Sequence, residues 1–155
     1  MSHIQWLGIW GMTGFSKPEE KDLNKWTKGI AYVLGDPKGQ HHFKEFLSRP
    51  GCDFEKHTQI LELWVRCDAL INQAESVNQS EAQEIFSKAQ QYLHMTPRVV
   101  SDLQVVSESQ DGAQIKEEVK KVQEVASNNL IDVYNTFTVS LQTLRSQKKL
   151  KCLIL

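Results

Sequence analysis

The apolar residues of this chain recur at spacings of three and four over most of its length, which predicts amphipathic helices. Those with this spacing in the first predicted helix are Leu23, Trp26, Ile30 and Val33. Ser16 and Glu19 match the capping box, in which a hydroxyl and a carboxylate bind unpaired amides at a helix start. One helix is therefore predicted from Ser16 to about Leu34.

Cap and turn residues predict where the next helices begin. Asp36 suits the N-cap of a second helix, and Pro37 suits its first position. A long helix is predicted from Asp53 to about Gln73. Its predicted apolar face consists of Phe54, Ile60 or Leu61, Trp64, Val65, Leu70 and Ile71. Ser80 and Gln83 predict the cap of the helix that follows.

The composition favours a fold built from helices alone. Glycine and proline are scarce, at 8 and 4 residues of 155, which argues against a turn-rich β-sandwich. After a polar loop at 107–112, helical spacing continues from Ala113 to about Leu144. We therefore predict an all-α, single-domain helical bundle over 16–144. An apolar arm at 1–15 precedes it, and a basic tail at 145–155 follows it.

The predicted arm is not a typical targeting segment. It lacks the basic start of a secretory signal, and glycines interrupt its apolar residues. Two interpretations stay open, in which the arm packs its aromatic residues onto the bundle or its tryptophans contact a membrane interface. Three scattered cysteines favour a reducing compartment over a disulfide framework, so the expected location is the cytoplasm.

Charge and motifs argue against several classes of function. The net charge of −1 gives no attraction to nucleic acid. We find no phosphate-binding loop, dinucleotide fingerprint, nucleophile elbow or zinc-type histidine spacing in the sequence, so no enzyme activity, cofactor or metal is expected. The histidines are interpreted as solvated and Cys67 as a small core residue. The charged residues of 116–124 are interpreted as a solvated helix face with Glu117–Lys121 and Lys120–Glu124 pairs.

Four runs of residues occur in a characteristic order along the chain. They are Asp36-Pro-x-Gly39 followed by Phe43-x-x-Phe46-Leu47, then Leu61-Glu62-x-Trp64-x-x-Cys67, then Pro97-Arg98-x-Val100-Ser101, and last Gln123, Asp132, Tyr134 and Phe137. Together, over about Trp26 to Phe137, they resemble the regulator-of-G-protein-signalling (RGS) homology domain. The resemblance implies an all-helical bundle of RGS-homology type, with Trp64 in its core and Pro97–Ser101 in a loop between helices.

The resemblance also implies a partner, the α subunit of a heterotrimeric G protein (Gα). Domains similar to this accelerate GTP hydrolysis because they bind the switch segments of Gα most tightly in their transition-state shape. The glutamine that positions water and the arginine that stabilises charge belong to Gα. The chain would therefore need no catalytic residues of its own.

The positions that the resemblance assigns to the Gα contact are Gln59, Ile60, Ser101, Asp132 and Thr136. Ser101 and Asp132 keep the residue types of the family, and Gln59 is a mild change. Ile60 stands where the family has Asn, Thr136 where it has Arg, and Val133 where it has Ser. A partner group left unpaired costs about 1–3 kcal/mol, and about 1.4 kcal/mol is a tenfold change in rate. We therefore expect weak or absent GTPase acceleration.

The alternative is an adaptor, in which an RGS-like bundle docks a partner other than a G protein. An exposed apolar patch that contains Ile60 and Val133 would favour the adaptor. Burial of both side chains would instead mean that the assignment of the contact positions is shifted.

The last four residues, Cys152-Leu153-Ile154-Leu155, match the C-a-a-X signal for prenylation of the cysteine, and the final Leu favours geranylgeranyl. One lipid chain binds a membrane only marginally, so a second signal is needed. Lys148, Lys149 and Lys151 supply a basic cluster for anionic lipid. The resulting expectation is a chain anchored to the cytoplasmic face of a membrane. Two alternatives stay open, an apolar helix end and a fragment of a longer protein.

Overall fold

The computed structural model of the protein describes residues 15–49, 54–73, 77–108 and 111–154, with side chains in the last range as far as 147. Within these ranges the chain forms eight helices and no strand, so the predicted all-α class is confirmed. The helices are α1 Glu20–Trp26, α2 Ile30–Leu34, α3 Pro37–Leu47, α4 Glu55–Asn72, α5 Gln79–Tyr92, α6 Pro97–Ser107, α7 Gly112–Asn129 and α8 Ile131–Ile154. Among the described helices, none has the length and apolar composition to cross a lipid bilayer.

The first predicted helix is two short helices, so the prediction of one continuous helix was wrong. The backbone is extended at Gly29, with φ 168° and ψ 159°, so the helix cannot continue through this residue. The Thr27 hydroxyl donates to the Leu23 carbonyl at 2.8 Å, in addition to the Thr27 amide at 3.2 Å. The predicted cap was also wrong, because the Asp22 carboxylate accepts from the Glu19 amide at 2.9 Å. Ser16 instead lies beside Lys38, whose ammonium group donates to its hydroxyl at 3.1 Å.

Other helix starts follow a simpler rule than the predicted boxes. Asn78 caps α5 by accepting from the Glu81 amide at 2.8 Å, whereas Ser80 was the predicted cap. The Thr96 hydroxyl accepts from the Val99 amide at 3.3 Å and caps α6. Residues 97–101 are therefore helical, and the loop that the resemblance implied there is wrong. A single side-chain acceptor at the N-cap is enough to start each of these helices.

The Cα positions divide the chain into two compact units, one from 1–46 with 134–155 and one from 47–133. In the first unit, side chains of α8 contact the α1 region directly. The Tyr134 hydroxyl donates to the Trp26 carbonyl at 2.7 Å, and Arg145 donates to the Asn24 side chain at 2.6 Å. Phe137 lies with its ring centre 5.0 Å from that of Phe43.

In the second unit α4 packs against α5 and α7, and α6 packs against α5 and α7. Polar pairs join these helices at the edges of the apolar core. Arg66 on α4 binds Glu84 on α5 through two hydrogen bonds of 2.9 and 2.8 Å. Gln123 on α7 donates to the Asp68 side chain on α4 at 3.1 Å. Such paired geometry adds directional specificity to apolar packing.

The buried face of α4 differs from the predicted one. Its buried residues are Ile60, Leu61, Leu63, Cys67 and Leu70. Trp64 is only half-buried and Val65 is 39% exposed, so the prediction was wrong for Val65 and only partly right for Trp64. Burial raises the pKa of the Cys67 thiol to about 12, and Asp68 adds to the rise. The thiol is therefore neutral and inert, which confirms Cys67 as a core residue.

A tight cluster fixes the start of α3 in the first unit. The buried Trp26 indole N–H donates to the Asp36 carboxylate at 2.8 Å. The other oxygen of that carboxylate accepts from the Lys38 amide at 3.2 Å. Gly39 lies against the Val33 backbone and the Trp26 indole. A Cβ at this position would stand 2.7 Å from the Val33 carbonyl oxygen and 2.9 Å from the indole nitrogen. Only glycine fits without a shift of the backbone.

Gly39→Ala should therefore destabilise the protein. Overpacking costs about 1–3 kcal/mol, which exceeds the roughly 1 kcal/mol that alanine gains over glycine in a helix. The free energy of unfolding from urea titration measures the change. Gly29→Ala is the matched control, because its Cβ would lie 3.7 Å from the nearest Tyr32 atom, an ordinary contact. Equal stability of the two variants would contradict the close approach at Gly39.

Histidine packing on α3 also affects stability. The His41 ring stacks on Phe15, with ring centres 5.2 Å apart and planes at 18°. Phe15 thus packs as one interpretation of the predicted arm requires, while residues 1–14 lie outside the described ranges. The pKa of His41 is lowered from 6.5 to about 4, mainly by burial and also by the charges of His42 and Lys44.

Stability should fall as the pH drops from 6.5 toward 4. The folded chain resists protonation of His41 in this window, whereas the unfolded chain takes up the proton near pH 6.5. Below pH 6.5 the unfolded state therefore binds more protons, and the free energy of unfolding falls by up to ~1.4 kcal/mol per pH unit. Urea titrations at pH 7, 6 and 5 measure the slope. His41→Gln should reduce this slope. Equal slopes for His41→Gln and for His94→Gln, the control at an exposed histidine, would contradict the role of His41 in the pH dependence.

Candidate partner-binding surface

The contact positions predicted on α4 differ in exposure. Ile60 is 2% exposed, and Gln59 is half-buried. Ile60 shares the buried stripe of α4 with Leu63 and Cys67, three and seven residues further on. The expectation that Ile60 lies on a partner-binding surface is therefore wrong, because its side chain belongs to the core.

Val133 on α8 is buried as well, at 3% exposed. The exposed apolar patch of Ile60 and Val133 that would have favoured the adaptor does not form. Burial of both side chains also means that the assignment of contact positions is shifted at these two residues. Ile60 and Val133 are accordingly core residues and not surface contacts.

The remaining predicted positions reach the surface. Ser101 is exposed near the start of α6, and Asp132 is exposed in the first turn of α8. A carboxylate at a helix N-terminus is favoured by the partial positive charge of the unpaired amides. Both residues belong to the 47–133 unit, as does Gln59. Thr136, also exposed on α8, belongs to the other unit.

A histidine that the sequence pattern did not single out, His57, lies in the first turn of α4. The His57 ring packs edge-to-face on Phe54, with centres 5.6 Å apart and planes at 87°. Its Nδ1 is enclosed and finds no hydrogen-bond partner among the residues that the structure describes. Burial lowers the pKa of His57 below 6.5, Lys56 lowers it further, and Asp132 opposes the shift. His57 therefore lies within the electrostatic reach of Asp132, and its interpretation as a solvated imidazole was wrong.

The charged residues of α7 pair differently from the prediction. Lys121 donates to Glu118 at 2.8 Å, and Lys120 pairs with Glu117 at 3.0 Å. Glu118 is only 5% exposed, so the interpretation of 116–124 as a fully solvated face was wrong. The hydrogen bond that Lys121 donates to Glu118 raises the pKa of Lys121, and the charge of Asp102 on α6 adds to the rise. The helix that carries Ser101 is thus linked electrostatically to α7.

The residues of the predicted lipid anchor lie at the end of α8. The backbone is helical through Ile154, so Cys152 and the three lysines before it are in the helix. Their side chains lie outside the described part of the chain, and prenylation of Cys152 stays a prediction. Modification of a C-a-a-X cysteine requires an extended tetrapeptide. The terminal helical turn would have to open, which is favoured by the unpaired carbonyls there.

No cluster of three or more histidine, cysteine or acidic side chains in the described ranges is suited to hold a metal ion. The predicted contact positions that are exposed, Ser101, Asp132 and Thr136, carry polar side chains that can hydrogen-bond to another protein. No protein-family model matches the chain, and a search of curated proteins finds no match.

Ile60→Asn, which introduces the residue type that the resemblance implied at this position, should destabilise the protein. A buried isoleucine would be replaced by a smaller amide without a partner, at a cost of about 3–5 kcal/mol. Urea titration of the purified variant measures the change. Gln59→Asn on the same turn is the matched control and should change stability by less than about 1 kcal/mol. A stable Ile60→Asn variant with raised GTPase acceleration would contradict the burial of Ile60.

Proposed function

We propose that this chain is an RGS-like domain that binds a Gα subunit and modulates G-protein signalling, with weak or absent acceleration of GTP hydrolysis. The chain contributes binding groups rather than catalytic ones. Its exposed polar positions suit recognition of a protein surface. The proposal combines the sequence resemblance with the packing of the residues that carry it.

The observation that carries the proposal is direct contact between residues of separate resembling runs. Phe137 of the last run lies with its ring centre 5.0 Å from that of Phe43 and 5.4 Å from that of Phe46, both in the first run. Trp26, at the start of the resembling region, hydrogen-bonds Asp36 of the first run and accepts from Tyr134 of the last. Residues that recur in order and also pack together are constrained by one fold. This supports a structural origin of the resemblance.

The weak activity follows from what the contact positions now offer. Acceleration requires contacts that are stronger in the transition state of Gα than in its ground state. Among the predicted contact positions that reach the surface, Thr136 stands where the resemblance implies an Arg, whereas Ile60 is a core residue and no longer counts as a contact. Ser101 and Asp132 still present polar groups. Binding can therefore persist where selective stabilisation of the transition state is reduced.

Binding of the purified chain to a panel of Gα subunits tests the proposal. Each subunit is loaded with GDP alone or with GDP and aluminium fluoride, which mimics the transition state. We expect binding to at least one Gα, with only a small preference for the fluoride state, and GTP turnover accelerated less than by a typical family member. Asp132→Ala should weaken binding about tenfold.

Glu124→Ala, which removes an exposed carboxylate from α7, is the matched control and should leave the affinity unchanged. Absence of binding to every Gα in both states would overturn the proposal and favour the adaptor. Acceleration as strong as that of a typical family member would retain Gα as partner but overturn the weak activity.

A further inference from the structure

Glu118 is a carboxylate on the buried face of α7, which it shares with Ile115, Val119 and Val122. One of its oxygens, Oε1, accepts from the Lys121 ammonium at 2.8 Å. The other, Oε2, is enclosed and has no hydrogen-bond partner among the residues that the structure describes. A buried charge is costly unless it is paired, so Glu118 depends on the ammonium group beside it.

The two partners of this ion pair differ in their access to water. The side chain of Glu118 is 7% exposed, whereas that of Lys121 is 55% exposed. The hydrogen bond to Glu118 raises the pKa of Lys121, which keeps the amine protonated. A group at the surface thus compensates the charge of a group in the interior. A reagent or an enzyme can reach the amine without opening the fold.

The preceding pair on the same helix shows why burial matters. Lys120 and Glu117 have the same spacing and lie 3.0 Å apart, but their side chains are 49% and 68% exposed. Water can hydrate both groups when such a pair breaks, and exposed pairs therefore contribute little to stability. Loss of the charge should be tolerated at Lys120 and should be costly at Lys121.

We propose that Lys121 is a modification-sensitive site, at which transfer of an acetyl group to Nζ leaves the Glu118 charge unpaired and destabilises the second unit. The acetyl donor is a thioester. The ammonium loses one proton to solvent, and its nitrogen bonds to the acetyl carbon as the carbon–sulfur bond breaks. A second proton passes to the leaving thiol. The product amide keeps one N–H but carries no charge to balance the carboxylate.

The effect should extend beyond the modified residue because of the place of α7 in the fold. This helix packs against α4, α5 and α6 of the second unit. Accommodating an unpaired carboxylate requires either that Glu118 take up a proton or that this part of α7 move toward water. Both lower the stability of the folded unit. The inference is independent of Gα binding and stands or falls by itself.

Acetyllysine incorporated at position 121 of the full chain tests the proposal. Urea titration should show that the equilibrium constant for unfolding rises at least about tenfold, as expected when a buried charge loses its partner. Acetyllysine at position 120 is the matched control and should change the constant by less than about fivefold. Equal effects at the two positions would overturn the proposal.

Glu118→Gln separates the charge from the bulk of the acetyl group. Glutamine has nearly the same shape and carries no charge, so acetylation of Lys121 in this background should change the unfolding constant by less than about fivefold. If the acetylated chain with Glu118 does not fold, Glu118→Gln should restore folding. A loss of stability that persists in the Glu118→Gln background would assign the effect to bulk and overturn the proposal.

Discussion

The hydrogen bond from the Trp26 indole to Asp36 is the constraint on which the first unit depends. A buried indole N–H without an acceptor costs about 1–3 kcal/mol, so Trp26 requires this carboxylate. The same carboxylate binds the Lys38 amide and so fixes the start of α3. The indole can reach it only because Gly39 lacks a Cβ. Trp26, Asp36 and Gly39 are thus all required by this one contact.

The sequence predicts this region well because its signals are local. Asp36 and Pro37 act within one helical turn. Glycine is required at position 39 because a Cβ there would collide with the Val33 backbone and the Trp26 indole. The break between α1 and α2 was missed because the apolar spacing continues through it, while the backbone is extended at Gly29. On α4 five of the six residues from Ile60 to Val65 are apolar, so periodicity alone cannot select the buried face. Packing on both α5 and α7 decides it.

The candidate surface was less predictable for the same physical reason. Ser101 and Asp132 are exposed, whereas Ile60 is buried, although all three were assigned by position in related patterns. The position of a residue along a helix does not determine its exposure, because exposure depends on where the neighbouring helices pack. His57 was missed because nothing in its spacing shows that Phe54 covers one side of its ring. That asymmetry arises only in three dimensions.

The distinction between binding and acceleration gives these differences a functional meaning. Groups that bind the ground and transition states of a partner equally raise affinity without lowering the barrier to its reaction. Ile60 is a core residue, so its side chain cannot discriminate between states of a partner. Under the proposed function, the polar groups of Ser101 and Asp132 would contribute to binding of Gα in both states, and the chain would act by binding rather than by speeding hydrolysis.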